Sequence, residues 1–163
     1  MLFRSKGATK LVLGCTFPMA VLWGPGHLLL YNAAFSALLG AKHPAALGHP
    51  TSRVWPVDEV ITRRVWQGES LNFKDHLCPL TRRGYPEEAY FTLSYSPVRD
   101  GQGEVCGVLV TALETTAQVL ALRRAETLRR HAEELGEVQT AGALLALAGS
   151  FKAGADVPWL SVH

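Results

Sequence analysis

No stretch of the chain approaches the roughly 20 consecutive apolar residues that a bilayer span needs, so no membrane span is expected. Excess charge of one sign is missing too. Sixteen Lys and Arg against 14 Asp and Glu leave a net charge of +2, too small to argue for a nucleic-acid partner. The Arg pairs at 63/64, 82/83, 123/124 and 129/130 are scattered and read as solvated faces. Cysteine is scarce. Cys15, Cys78 and Cys106 are odd in number and lack C-x-x-C spacing, which excludes a disulfide framework and a zinc site. Arg4, Lys6 and Lys10 before Leu11-Val12-Leu13-Gly14-Cys15 imitate a lipoprotein signal. A secretory core needs about 7 to 15 apolar residues, however, and only Leu11, Val12 and Leu13 stand before Gly14. A reducing cytoplasm is the expected compartment.

What is present is patterned like a globular domain, with 48% apolar and 18% charged residues. From Ala89 to Ser96, Ala89, Phe91, Leu93 and Tyr95 alternate with Tyr90, Thr92, Ser94 and Ser96, the period of a half-buried antiparallel strand. Pro97 lacks an N–H and should end it. Asp100-Gly101 with Gly103 should supply positive-φ positions for a reversal into a second strand, Val105 to Leu113. Earlier, Met19 to Trp23 and His27 to Tyr31 flank Gly24-Pro25-Gly26 and read as a hairpin. Asn32 is placed to cap a helix carrying Phe35, Leu38 and Leu39 that stops at Gly40. Pro44 to Leu47 should form one short turn. Pro56 opens a second helix, Val57 to Trp66, closed by Gly68. Leu71, Phe73 and Leu77 alternate with Asn72, Lys74 and His76 in a third strand reaching about Thr81. The fold class is therefore α+β, a five-stranded antiparallel sheet with short helices on one face and a long C-terminal helix.

Glu114-Thr115-Thr116 leads out of the last strand into that helix, with a Thr hydroxyl able to cap its free N–H groups. The helix should run from Ala117 to about Gly136. Ala121, Ala125, Leu128, Ala132 and Leu135 make a narrow apolar seam suited to a homodimer through two such helices. A second helix, Val138 to about Ala148, and an apolar ending, Trp159 to Val162, complete the chain.

These strings in this order resemble a PAS domain, most of all the input modules of bacterial multidomain sensor histidine kinases. The resemblance covers Phe17 to Thr116, through FPMAVLWGPGHLLLYNAAFSALLG, RRGYPEEAYFTLSYSPVRDGQGEV and GVLVTALETT. Residues 120–163 resemble a connecting helix and the truncated start of a GAF domain, with ADVPWLSVH like its first strand. The organisation expected is a lead-in at 1–16, either a short helix over 8–16 or a frayed segment, a sensory domain at 17–116, a signalling helix at 117–136 and a GAF-like start at 137–163. The resemblance implies a two-component signalling role, with kinase or other signalling domains as partners. It also implies that Glu114, Thr115 and Thr116 relay a change in the sheet to the exit helix. Two departures stand out. The helix around Val57 to Trp66 is about one turn short, and the chain carries neither a kinase histidine box nor an ATP-site motif. It is therefore expected not to be an enzyme itself; a fragment or a free-standing sensor fits equally.

Strand alternation places Phe91, Leu93 and Tyr95 on the same face as Cys106, Val108, Val110 and Ala112 of the neighbouring strand. With Phe35, Leu38, Trp55 and Ile61 these would enclose an apolar pocket for a small apolar ligand, or else simply a filled core. A photoactive flavin is disfavoured because no Cys lies between Thr16 and Leu77. Haem needs an axial ligand, and His43 and His49 each adjoin a Pro in a loop. No cofactor or metal is expected. A nucleophile pair of His76 with Cys78, or of Cys106 with a distant His, lacks an orienting third group. Beside the sensory reading stand a ligand-free dimerisation or interaction module and a non-functional remnant.

Overall fold

The alternation in the sequence becomes a curved, fully antiparallel sheet in a computed structural model that describes residues 6–54 and 58–153. Helix α1 (Lys6–Gly14) leads into β1 (Met19–Trp23) and β2 (Leu28–Tyr31). Helix α2 (Ala33–Leu39), two single-turn 3-10 segments (Gly40–Lys42 and Thr51–Arg53) and α3 (Glu59–Trp66) follow. Strands β3 (Leu71–Leu77), β4 (Tyr90–Arg99) and β5 (Val105–Glu114) then precede α4 (Thr116–Ala153). The strand order across the sheet is β2-β1-β5-β4-β3, so the last strand lies in the centre beside the first.

Register fixes which side chains meet. Ala20 faces Val110 and Leu22 faces Val108, while Tyr95 faces Val110 and Leu93 faces Ala112. Side chains on one strand alternate between faces, so these residues share one face, and Phe35, Leu39 and Val65 of the helices bury against it. Helix α1 packs on β1 and β2, where Val12 and Val21 are both buried. Val21 leaves β1 on the opposite face from Ala20 and Leu22, so apolar burial is not confined to the helix-covered side.

Four expectations need correction. Pro97 does not end β4; it pairs with Val108 inside a strand that continues to Arg99. Pairing with β3 reaches only Tyr95, so Pro97 sits on a stretch with one neighbour, where a missing N–H breaks no second ladder. In the β4–β5 reversal Gly103 alone has positive φ, at 87°, and Gly101 does not. Asp100 does the remaining work: its Oδ1 accepts from the Gln102 and Glu104 N–H groups. Helix α3 starts at Glu59, capped by Asp58, whose carboxylate accepts from the Val60 N–H at 2.8 Å; Pro56 lies outside the described residues. Finally, α4 passes through Gly136 without a break. A lone glycine costs a helix only about 1 kcal/mol relative to alanine, too little to stop it without a following proline. The strand expected at Trp159 to Val162 lies outside the described residues.

The chain divides into two compact units, Met1–Val119 and Leu120–His163. Among the described residues no helix is long and apolar enough to cross a membrane.

Candidate functional site

One side chain anchors the helical layer. Asn32 is 2% exposed, and its side chain makes four hydrogen bonds. Its Oδ1 accepts from the Phe35 N–H at 2.9 Å, capping α2, and from the Met19 N–H at 3.2 Å. Its Nδ2 donates to the carbonyls of Cys15 (2.9 Å) and Phe17 (2.7 Å). The start of β1, the end of β2 and α2 are thus tied at one point. Phe35 and Leu38 are thereby held over the sheet.

Between α2, α3 and the half of the sheet formed by β3, β4 and β5 lies a cavity of about 760 Å³. Phe35, Leu38 and Ile61 line it from the helices, and Phe91, Leu93, Tyr95, Val110 and Ala112 from the sheet. Eight of the residues expected there are thus brought together. Val108 is not among the lining; fully buried, it belongs to the packed core under β1. Cys106 is displaced by a bulge. Val98 pairs with Gly107 and Arg99 with Val105, which leaves Cys106 without a register partner on β4, its thiol 3.4 Å from the Val98 carbonyl. Trp55 lies outside the described residues.

Sequence reasoning missed one wall. Phe73 pairs with Leu93 and His76 with Phe91, so two residues of β3 stand opposite one of β4. Asp75 in this bulge has φ 49°, a conformation Asp tolerates better than most residues. The bulge flips the alternation, so that Phe73 and His76, odd and even in the sequence, share a face with ring centroids 5.8 Å apart. His76 and Cys78 therefore reach the cavity wall, and Asp58 and Arg64 stand at α3's side of it. A lysine-aspartate pair in the strand pattern was the only signal, and a weak one.

The electrostatics of the interior favour neutral groups. Burial pushes the Tyr95 phenol up to about 12, with the Cys78 thiol adding to the shift. Burial also raises the Cys78 thiol, which keeps it protonated and a poor nucleophile. The Arg64 guanidinium is spent on Glu69, with Nε at 3.0 Å and Nη2 at 2.7 Å. His43 and His49 do not line the cavity; His43 Nδ1 lies 3.0 Å from the Tyr31 hydroxyl.

Two residues beyond Ala112 on β5, Glu114 accepts a two-pronged contact from Arg82, with Nη1 at 2.8 Å and Nη2 at 2.9 Å. Arg82 Nε also reaches Glu87 at 3.0 Å. Arg82 is only 21% exposed, so it is a structural tie and not the solvated charge the sequence predicts. Arg82 holds the Glu114 carboxyl below its ordinary value, while Glu114 raises the Arg82 guanidinium. The Thr residues behave differently from expectation. Thr116 Oγ1 accepts from the Tyr90 N–H at 3.0 Å and donates to Glu114 at 3.0 Å, so it clamps β4. The Thr115 N–H donates to the Tyr90 carbonyl at 2.8 Å. Its hydroxyl is buried without a partner among the described residues, so it does not cap α4.

The same architecture occurs in solved structures. An RNA-binding Light-Oxygen-Voltage receptor matches at 22% identity and TM-score 0.53, over 77% of this chain and 37% of its own. The LOV protein of Rhodobacter sphaeroides matches at 16% identity and TM-score 0.54, over 71% of this chain and 69% of its own. The phage VqmA–DPO complex gives 19% identity and TM-score 0.52, over 75% of this chain and 57% of its own. The first and third of these chains are thus much longer than the part matched, and at such identities the likeness concerns the fold alone. No curated protein matches the chain. The PAS fold family matches residues 17–120, which with the β2-β1-β5-β4-β3 sheet and its short helices makes the chain a member of that family.

Proposed function

We propose that the protein is the sensory input domain of a bacterial two-component signalling protein, one that works in the cytoplasm beside a histidine kinase. It binds a small, mostly apolar molecule and passes the change to α4, without catalysing a reaction itself. The observation that carries this reading is the cavity. Its volume of about 760 Å³ falls within the range of small-molecule sites, and the exposed side chains of Val60, His76 and Leu77 at its edge leave it open on one side for a ligand to enter. Its position supports a relay. Leu93 faces Ala112 and Phe91 faces Glu114 across the β4–β5 ladder, so a ligand that moves either cavity residue acts next to the Arg82–Glu114 contact. Glu114 and Thr116 connect that ladder to the first turn of α4.

Native mass spectrometry with thermal shift against hydrophobic metabolites tests it. A ligand at a hundredfold excess over its dissociation constant should raise the melting midpoint by roughly 10 °C. Ala112→Phe, which fills the cavity, should abolish that rise. A chain that carries no bound mass and responds to none of the compounds would remove the sensory reading and leave a ligand-free interaction module.

A further inference from the structure

Tyr95 presents a hydrogen-bond donor that none of the described residues uses. The side chain is 7% exposed and lines the cavity, with its ring edge-on to Phe73 at 6.0 Å. Its hydroxyl has no partner among the described residues. Unlike the fully enclosed Thr115 Oγ1, it keeps access to open space. A hydroxyl that no protein group meets can turn to solvent, but an occupant that displaces the solvent without offering an acceptor leaves it unpaired, which is costly. An occupant that offers an oxygen at this point removes that cost.

The remaining polar groups narrow the chemistry further. Arg64 is held by Glu69 through two nitrogens, and Asp58 is occupied in capping α3. Cys78, the other thiol or hydroxyl on the wall, is kept protonated by burial. His76, the last polar group on the wall, is exposed at the mouth against the Phe73 ring, so an anionic head group drawn inside beside Tyr95 would meet an arginine already paired with Glu69 and would pay the desolvation of its charge. A pure hydrocarbon would leave the Tyr95 hydroxyl orphaned.

We infer that the cavity selects a neutral, largely apolar molecule bearing a single carbonyl oxygen, such as a ketone, aldehyde or ester, which accepts a hydrogen bond from the Tyr95 hydroxyl. The inference rests on the ligand-binding reading above and specifies its class.

Calorimetry on the full chain with three probes of similar shape tests it: 4-phenylbutan-2-one, butylbenzene and 4-phenylbutanoate. The ketone should bind about tenfold more tightly than either of the others, the value of one well-placed hydrogen bond. In Tyr95→Phe the ketone should lose about that tenfold while butylbenzene binds unchanged. Equal binding of ketone and butylbenzene, or a ketone preference that survives Tyr95→Phe, overturns the inference and leaves the apolar site standing. Failure of all three probes to bind the unaltered chain overturns both. Should Tyr95→Phe not fold, the infrared carbonyl stretch of the ketone bound to the unaltered chain decides. A shift to lower wavenumber than in hydrocarbon solvent supports the hydrogen bond, and an unshifted band overturns it.

Discussion

Asn32 shows how much one buried side chain can hold. Removing it in Asn32→Ala deletes a helix cap and orphans the carbonyls of Cys15 and Phe17. A loss of about 2–4 kcal/mol is expected in urea denaturation. Asn32→Asp separates the two roles. Aspartate caps helices as well as asparagine does, but it has no N–H, so its second oxygen would face two carbonyl oxygens. It should therefore be at least as damaging as alanine; a mild effect would mean that capping alone matters. Glu114 gives a pH signature. Its carboxyl ordinarily titrates near 4.5 and is lowered in the fold by Arg82. A lowered carboxyl contributes stability that is present above its unfolded value and lost as pH falls through the folded one. Glu114→Gln should flatten the acid limb of a stability profile below about pH 4.5. It should leave the slope near neutrality alone, since the group is charged in both states there. Because Glu114 is partly exposed, the difference should be modest.

At the scale of elements, Gly40 is where two segments meet. Its φ is 53°, and an added Cβ would lie 2.6 Å from the Arg82 Cα and 2.8 Å from its carbonyl oxygen. Both are backbone atoms and cannot swing aside. Gly40→Ala should cost about 2–4 kcal/mol and, by pushing the Arg82 segment away, raise the Glu114 carboxyl back toward its ordinary value. NMR titration of that carboxyl checks the second effect, and no change would mean that Arg82 is not held by this contact. The elements themselves were largely legible. Alternation in β4 and β5 named the cavity face, because each strand there packs one side on helices and keeps its period of two. The hairpin of β1 and β2 and the cap at Asn32 were equally readable, since each rests on local chemistry. What escaped was whatever depends on a neighbour. Pro97 could be kept only because β3 stops short of it. The bulges at Asp75 and Cys106 add a residue that the partner strand, not the sequence, reveals. For that reason Cys106 was wrongly placed in the cavity, and His76 and Cys78 were left out. Arg82 looked like one of four arginine pairs, because its partner Glu114 lies 32 residues away.

The largest question concerns α4 as an assembly surface. Past Val119 the helix continues for many turns, and its leucines are bare: Leu128 is 69% exposed and Leu135 64%, with Leu122, Val138 and Leu145 exposed as well. Its own salt bridges, Arg129 with Glu126 and Glu133, lie on the surface and contribute little. A helix of this kind gains most of its stability by burying an apolar stripe against another element. The seam of Ala121, Ala125, Leu128, Ala132 and Leu135 offers such a stripe to a second copy, with alanines that permit close approach but bury little area. The expected assembly is thus a dimer whose affinity rests mainly on the two leucines. Sedimentation of the full chain at about 100 μM should show it, against a free energy near −8 kcal/mol for a micromolar complex. Replacing both with glutamate removes burial worth about 1.5–3 kcal/mol per leucine and sets like charges across the seam. Leu128→Glu with Leu135→Glu should therefore weaken dimerisation at least ~100-fold. The melting of the sheet domain should stay close to that of the unaltered monomer, because neither residue belongs to the core under the sheet. A chain that sediments as a monomer at this concentration, or a double variant that dimerises as before, would move the contact away from this seam. The relay proposed for Glu114 and Thr116 would then end in a single helix, to be read by a different partner rather than by a second copy.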